Sequence, residues 1–404
     1  MRLSRSPDPS GALRRLRRLP IARPLLDVVR PDEGAWLVGG AVRDLLLGIE
    51  PQELDVVVVG EIEDLAARLG RAVARHERFG SIEVEARPGV RYDLVRARTE
   101  RYPAPGALPE VAPAARIEDD LPRRDVSVNA IALRIPDGRI AAVDGALEDL
   151  RGRTLRVLHD RSLVDDPTRA WRIARYAARL GFGVEARTRE LLAAADPATI
   201  SGARHGHELR LALAEPDPRA ALAALQELAP RFLPAGFRAR PDGVEDAWRL
   251  LPRGGRRDLV LLARCCAAVS LPDLLPWLER LELTSAEREI VAAGSRDSTL
   301  EPLRRATRPS EVRRAARNVP LEVVALAGGD AAREWIDRWR LVRTTIDGRD
   351  LLAAGVPAGP AIGAGLDAAL DARLDGELDP ALPEPEAELA VALPAARRVA
   401  AEGC

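Results

Sequence analysis

The chain has 404 residues, a formal net charge of −1, 47% hydrophobic residues and only 3% aromatic ones, and every one of its basic side chains is arginine. A core built mainly from Leu, Val and Ala favours helices. The near-zero charge excludes a global field that would draw nucleic acid, so any RNA-binding charge has to be local. Three cysteines, Cys265, Cys266 and Cys404, form neither a disulfide framework nor a metal spacing, which points to a reducing compartment.

The opening MRLSRSPDPSGALRRLRRLP reads as a frayed end and an exposed helix face rather than a targeting arm. No secretory signal is visible, and no apolar run reaches the roughly 18 residues that a spanning helix needs. The expectation is a cytoplasmic protein. From residue 30 to 145 the chain alternates. AWLV (35–38), LDVVVV (54–59), SIEVEA (81–86), RYDLV (91–95) and NAIALRI (129–135) read as short strands. AVRDLLLG and EIEDLAARLGRAVAR between them have helical spacing. From about Asp166 the strand signals vanish. RAWRIARYAARLGF, TRELLAAA, HELRLALA, ALAALQELA, RDLVLLARCCAAV and SEVRRAARNV are amphipathic helices broken by Pro and Gly. The last stretch, ALPEPEAELAVALPAARRVAAEGC, reads as a loosely packed end.

The expected fold is an α/β head, a small mixed sheet with helices, followed by an all-α neck, body and tail. The expected divisions are an N-terminal segment (1–30), the head (31–150), the neck (151–215), a body (216–340) and a tail (341–404).

Chemistry concentrates in the head. Gly39-Gly40 stands between a strand and a helix, where a backbone without Cβ atoms can turn tightly and present N–H groups to an anion. Arg43, one turn in, would reach the same anion. Asp55 opens the next strand, with Glu53 two positions earlier on the same face, and Asp93 stands in an apolar frame on a later strand. Any one of these acids is most simply a strand end facing water. Three of them beside a glycine turn suit divalent cations, Mg²⁺ above all, and two-metal phosphoryl transfer. Further on, Arg169, Arg172, Arg175 and Arg179 recur at helical spacing as one basic stripe, part of it a solvated face and part meeting phosphate.

GGAVRDLLLG followed by LDVVVVGE resembles the signature of class II nucleotidyltransferases, the tRNA CCA-adding enzymes and bacterial poly(A) polymerases. FGSIEVE, YDLVRARTERYPAPGALPEV and EDDLPRRDVSVNAIALRI are similar to consecutive segments of that family, in the family's order. The run from Val143 to Thr188 looks like its neck, and residues 346–378 look like a C-terminal segment of CCA-adding enzymes.

The resemblance implies that Gly39, Gly40, Arg43 and Asp44 form the triphosphate loop and that Glu53, Asp55 and Asp93 are the catalytic metal acids. Arg123, Arg124, Asp125 and Asn129 would read the ribose 2′-hydroxyl. Asp166 and Arg169, in Asp165-Asp166-Pro167-Thr168-Arg169, would select C and A by their edges, with Arg172 and Arg175 beside them. It implies two Mg²⁺ ions, CTP and ATP as substrates, and the tRNA acceptor arm as partner, with no DNA and no membrane. The RGGRR run at 253–257 is a further candidate for RNA contact.

The chain departs from the family's pattern in Glu53, where Asp is usual, and in Val126 and Ser127, where Phe and Thr are more common. The longer carboxylate of Glu53 shifts its oxygens by about a bond length, and Mg²⁺ tolerates little distortion. Glu208 and Arg210, on a later helix, are assigned to structure. With only His76, His159, His205 and His207, no HD phosphohydrolase activity is expected. The expected activity is template-independent CCA addition to tRNA. The alternatives are CC-only or A-only addition, poly(A) synthesis, or RNA binding with lapsed catalysis.

Overall fold

A computed structural model describes residues 8–77 and 80–402. The first seven residues of the arginine-rich opening, Phe79 of FGSIEVE, and Cys404 lie outside the described residues. The chain divides into two compact units, Met1–Leu233 and Pro234–Cys404.

The first unit opens with helices α1 (Pro9–Leu16) and α2 (Arg23–Val28). Its sheet is built from β1 (Gly34–Val38), β2 (Asp55–Val59), β3 (Arg71–His76), β4 (Ser81–Arg87), β5 (Val90–Arg96), and, after a separate hairpin of β6 (Arg98–Arg101) and β7 (Glu110–Pro113), β8 (Ile131–Arg134) and β9 (Ile140–Ala142). The strand order is β3-β4-β5-β2-β1-β8-β9. Only β2 and β5 run parallel, with Asp55 in register with Asp93; the other neighbours are antiparallel. The mixed-sheet head of the sequence reading is therefore observed. Val56, Val57 and Val58 are all buried because β2 is central and covered on both faces. Trp36, Val38, Val57, Ala130 and Ala132 form one apolar cluster with Ile117 and Leu121.

The helix expected over 61–75 is shorter than its apolar spacing suggests. Helix α3 (Gly40–Leu47) forms as expected, but α4 (Glu63–Leu69) stops at Gly70 and RAVARH becomes the edge strand β3. The backbone of β4 comes so close that a Cβ on Gly70 would stand 2.3 Å from the Glu85 carbonyl oxygen, so the chain turns where it carries no side chain. The β6–β7 hairpin and β9 carry weak alternation and escape the sequence reading.

After α5 (Ile117–Asp120) and α6 (Ala146–Gly152) the chain is helical: α7 (Ser162–Asp165), α8 (Arg169–Leu180), α9 (Ala186–Ala194), α10 (Gly202–Leu213) and α11 (Pro218–Leu228). A two-residue parallel bridge, Thr154–Leu155 with Gly183–Val184, is the one strand pairing that reaches past Asp166 among the described residues.

Among its described residues the second unit is helical in its regular structure, from Val244–Leu250 through Glu384–Glu402. Its C-terminal stretch is not loose up to Glu402. It forms a 19-residue helix whose Ala392 and Ala396 pack with Ile346, Leu351 and Ala369. Glu388 is fully buried there and accepts from the Thr345 and Ile346 amides and from Arg373. The small alanine side chains let these helices approach closely. Cys265 and Cys266 are buried, and neither is in a disulfide. Among the described residues no helix is long and apolar enough to cross a membrane.

Candidate active site

A cavity of about 380 Å³ opens in the first unit. Gly39 and Gly40 line it from the turn between β1 and α3. Asp55 lines it from the start of β2, and Arg123, Arg124, Asp125 and Asn129 from the segment before β8. Asp166, Arg169 and Arg172 line it from the start of α8 and the turn before it. Six arginines face four acids on its wall, so a nearly neutral chain holds a locally positive pocket.

Gly39 has φ +68°, the left-handed region that favours glycine. A Cβ there would stand 3.3 Å from Arg124 Nη1 and 3.9 Å from Asp55 Oδ2, filling the space between a cation and an acid. Gly39 and Gly40 line the cavity at the N-terminal end of α3, where the helix dipole favours an anion. Arg43 is buried beneath this turn rather than on the wall. It pairs with Asp44 and donates from Nη1 to Asn129 Oδ1 at 2.7 Å, so it ties α3 to the segment before β8.

Asp55 and Asp93 stand side by side on the two parallel strands. Packed surroundings raise the Asp55 pKa first, and Asp93 then Glu53 add to it against the pull of Arg124. Asp93 is raised by burial, Glu83 and Glu53. Glu53 lies in the lead-in to β2, two residues before the first paired position, and Asp93 and Glu53 are off the cavity wall. Among the described residues no three His, Cys, Asp or Glu side chains come together closely enough to hold one ion. The fit is thus a pair of hard oxygen donors, Asp55 and Asp93, whose mutual repulsion a divalent cation would relieve, with Glu53 alongside.

The two arginines of Arg123-Arg124-Asp125 are held by acids that escape the sequence reading. Asp120 is fully buried and accepts from the Arg98 amide (3.1 Å), Arg123 Nε (2.9 Å) and Arg124 Nη2 (3.2 Å). Glu100 accepts from Arg98 at 2.8 Å, Arg123 at 3.2 Å and the Tyr102 hydroxyl at 3.1 Å. Burial and the Arg123 charge pull the Arg124 pKa down, and its Nε has no hydrogen-bond partner. Asp125 is buried, which works against its charge, yet Arg172, Asn129, Arg169 and Tyr176 outweigh the burial and hold it below the usual carboxylate range.

Asp166 is held low in the same way by Arg172, Thr168, Arg204 and Arg169 against its burial. Its Oδ1 accepts from the Thr168 amide (3.1 Å) and from Arg204 Nη2 (2.6 Å). Its Oδ2 has Arg172 Nη2 at 3.1 Å and room for another donor. Asp165 points the other way, to Arg161, and lines a neighbouring cavity. Arg169 is 2% exposed and donates from Nη2 to the Arg123 carbonyl. Its Nε and Nη1 are buried without a protein hydrogen-bond partner, which leaves them open to water or to a ligand in the cavity.

The basic stripe divides. Arg169 and Arg172 face the cavity, whereas Arg175 pairs with Glu208 and Glu215, and Arg179 with Glu215. Arg204, Tyr176, Tyr102, Arg98, Glu100 and Asp120 belong to the site or its support, and the sequence signalled them only by nearness to motifs. In the second unit, Arg256 of the RGGRR run is paired with Asp258 and Glu287.

Residues 35–156 match the family described as poly A polymerase head domain. An A-adding tRNA nucleotidyltransferase from Geobacter sulfurreducens is 33% identical over 80% of this chain and 41% of its own length. A CC-adding tRNA nucleotidyltransferase from Deinococcus radiodurans is 45% identical over 46% of this chain and 52% of its own. The matches thus span about half or less of these relatives. The crystal structure of the Bacillus stearothermophilus CCA-adding enzyme in complex with CTP superposes with a TM-score of 0.69 at 25% identity, covering 96% of this chain and all of that one. Residues 35–156 thus carry a poly(A) polymerase head domain, and the chain as a whole is similar to tRNA nucleotidyltransferases.

Proposed function

We propose that this protein is a nucleotidyltransferase that adds C and A nucleotides to the 3′ end of tRNA from CTP and ATP, without a nucleic-acid template. The observation that carries this reading is one cavity lined by a glycine turn, an acid facing a second acid in register, and an acid–arginine pair with open hydrogen-bonding positions.

In this reading the amides after Gly39 receive the triphosphate, and Arg124 balances its charge. Asp125 and Asn129 receive the ribose hydroxyls. Oδ2 of Asp166 accepts from the exocyclic amine that C and A share, and Nε and Nη1 of Arg169 donate to ring nitrogen or carbonyl oxygen. G and U present the wrong edge to that pair, so the protein itself serves as the template. Asp55 and Asp93, with Glu53 beside them, would hold Mg²⁺, expected as two ions. Those ions lower the pKa of the attacking hydroxyl and neutralise the leaving pyrophosphate when bound. The RNA 3′-oxygen forms a bond to the α-phosphorus as the bond to the β-phosphate oxygen breaks.

A second reading, addition of CC only or A only, is favoured by the relatives, which are named for each partial activity and for the whole. Incubating the protein and Mg²⁺ with tRNAs ending before CCA, after C and after CC, each with CTP, ATP or both, tests all of these. Complete CCA on every substrate is the expected outcome. CC alone, or A on the last substrate alone, would establish the partial activity. Long A tails on any RNA would make it a poly(A) polymerase, and no addition with tRNA still bound would reject the reading. Glu53→Asp in the same assay tests whether the longer side chain slows the enzyme, by whether the substitution raises the rate.

A further inference from the structure

We propose that Tyr176 is a positioning residue that fixes how Asp125 meets the ribose, and so helps set the preference for ribonucleotides over 2′-deoxyribonucleotides. The proposal rests on reading the cavity as a nucleoside triphosphate site.

Tyr176 lies on α8, seven residues after Arg169 and four after Arg172, so the three share a face of that helix and all line the cavity. Its hydroxyl donates to Asp125 Oδ2 at 3.0 Å. The other oxygen, Oδ1, accepts from the Val126 amide at 2.9 Å and Asn129 Nδ2 at 3.1 Å. The carboxylate is therefore clamped from both sides, by the head on Oδ1 and by the helix on Oδ2. Arg172 Nε, at 3.7 Å from Oδ2, is the charge toward which an unclamped Asp125 would turn. With Tyr176 in place, Oδ2 keeps one lone pair free for a sugar hydroxyl.

The ring has a second task. The Arg43 guanidinium lies 5.7 Å from its centroid and that of Arg179 5.6 Å. Arg43 donates to Asn129, and Asn129 to Asp125. One polar line thus runs from the helix after the glycine turn, through Arg43, Asn129 and Asp125, to Tyr176. It joins the phosphate end of the cavity to the helix that carries Arg169. Burial and the Asp125 charge keep the phenol protonated, so it stays a donor.

The test compares the whole protein with Tyr176→Phe, which deletes the donor and keeps the ring, and with Tyr176→Leu, which deletes both. Equilibrium binding and steady-state incorporation are measured with ATP, dATP, CTP and dCTP. Tyr176→Phe is expected to lower the ribo-to-deoxy preference roughly tenfold, about the weight of one hydrogen bond to a charged group, mainly by raising the KM of the ribonucleotides. Tyr176→Leu is expected to weaken all four nucleotides in addition. A merely structural role would weaken ribo and deoxy substrates alike and leave the ratio unchanged. An unchanged ratio in Tyr176→Phe, with the wild type still selective, overturns the proposal and leaves the nucleotide site standing. A wild type that binds no nucleotide overturns the site and this proposal together.

Discussion

Asp55 is held where its charge is unwelcome: packing desolvates it, and Asp93 and Glu53 repel it. A carboxyl whose folded pKa lies above its unfolded value weakens the fold once pH passes the unfolded pKa, and the cost is in full above the folded one. Asp55→Asn is therefore expected to raise the melting temperature by about a degree or two in metal-free buffer at neutral pH. The same change should cut incorporation by roughly a thousandfold. Mg²⁺ should raise the wild-type melting temperature and leave that of Asp55→Asn nearly unmoved, because only a site that binds gains stability from its ligand. Differential scanning fluorimetry with and without Mg²⁺ reads both effects.

Asp125 and Asp166 carry the opposite sign. Their folded pKa values lie below the unfolded one, so their stability is complete above about pH 4 and is lost as pH falls through the folded values. ATP binding should persist into more acid solution than an ordinary carboxylate would allow, and a binding titration from neutral pH downward checks this. Asp120 supports the site without lining it. Asp120→Asn keeps the shape but removes the buried ion-pair partner of Arg124 and leaves Arg123 with Glu100 alone, and should destabilise the first unit by about 3 kcal/mol. Urea unfolding measures that loss, and KM for ATP should rise with it.

Helix α8 brings Arg169, Arg172 and Tyr176 to one wall, and the turn before it adds Asp166. The helix and its arginine spacing were legible because apolar residues recur at three and four. Which arginines face the cavity was not, since Arg175 and Arg179 are claimed by Glu208 and Glu215 from other segments. The loop between β6 and β7 shows the same limit. Gly106 has φ +68°, and its amide donates to the Val164 and Asp165 carbonyls, while Arg204 bridges its carbonyl to Asp166. A Cβ on Gly106 would stand 2.2 Å from the Thr199 carbonyl oxygen. Gly106→Ala should therefore lift this loop and cost about 1–2 kcal/mol of stability. It should also weaken CTP and ATP binding through Arg204, measured beside the melting temperature.

At the scale of the whole chain, net charge is near zero while the cavity wall is positive. RNA binding should then rest on few phosphate contacts and still weaken on the order of tenfold between about 50 and 200 mM salt. A filter-binding series with tRNA lacking CCA checks this, and salt-independent binding would reject local charge as its source.

The RRD segment and the DDPTR turn were read through the resemblance to a family, and the glycine pair and the acids at 55 and 93 from local residue type and spacing. The mixed-sheet head and the helical remainder were readable for the same reason, since periodicity is a property of neighbours along the chain. Tertiary structure alone decided the rest. It turned RAVARH from helix to strand because β4 lay within hydrogen-bonding reach. It packed the alanine-rich C-terminal stretch as a helix against a partner close enough to bury it. It brought Asp120, Glu100, Tyr176 and Arg204 to the site from segments up to about a hundred residues apart, because a buried charge is satisfied by whatever lies nearest in space, and sequence order carries no record of that distance.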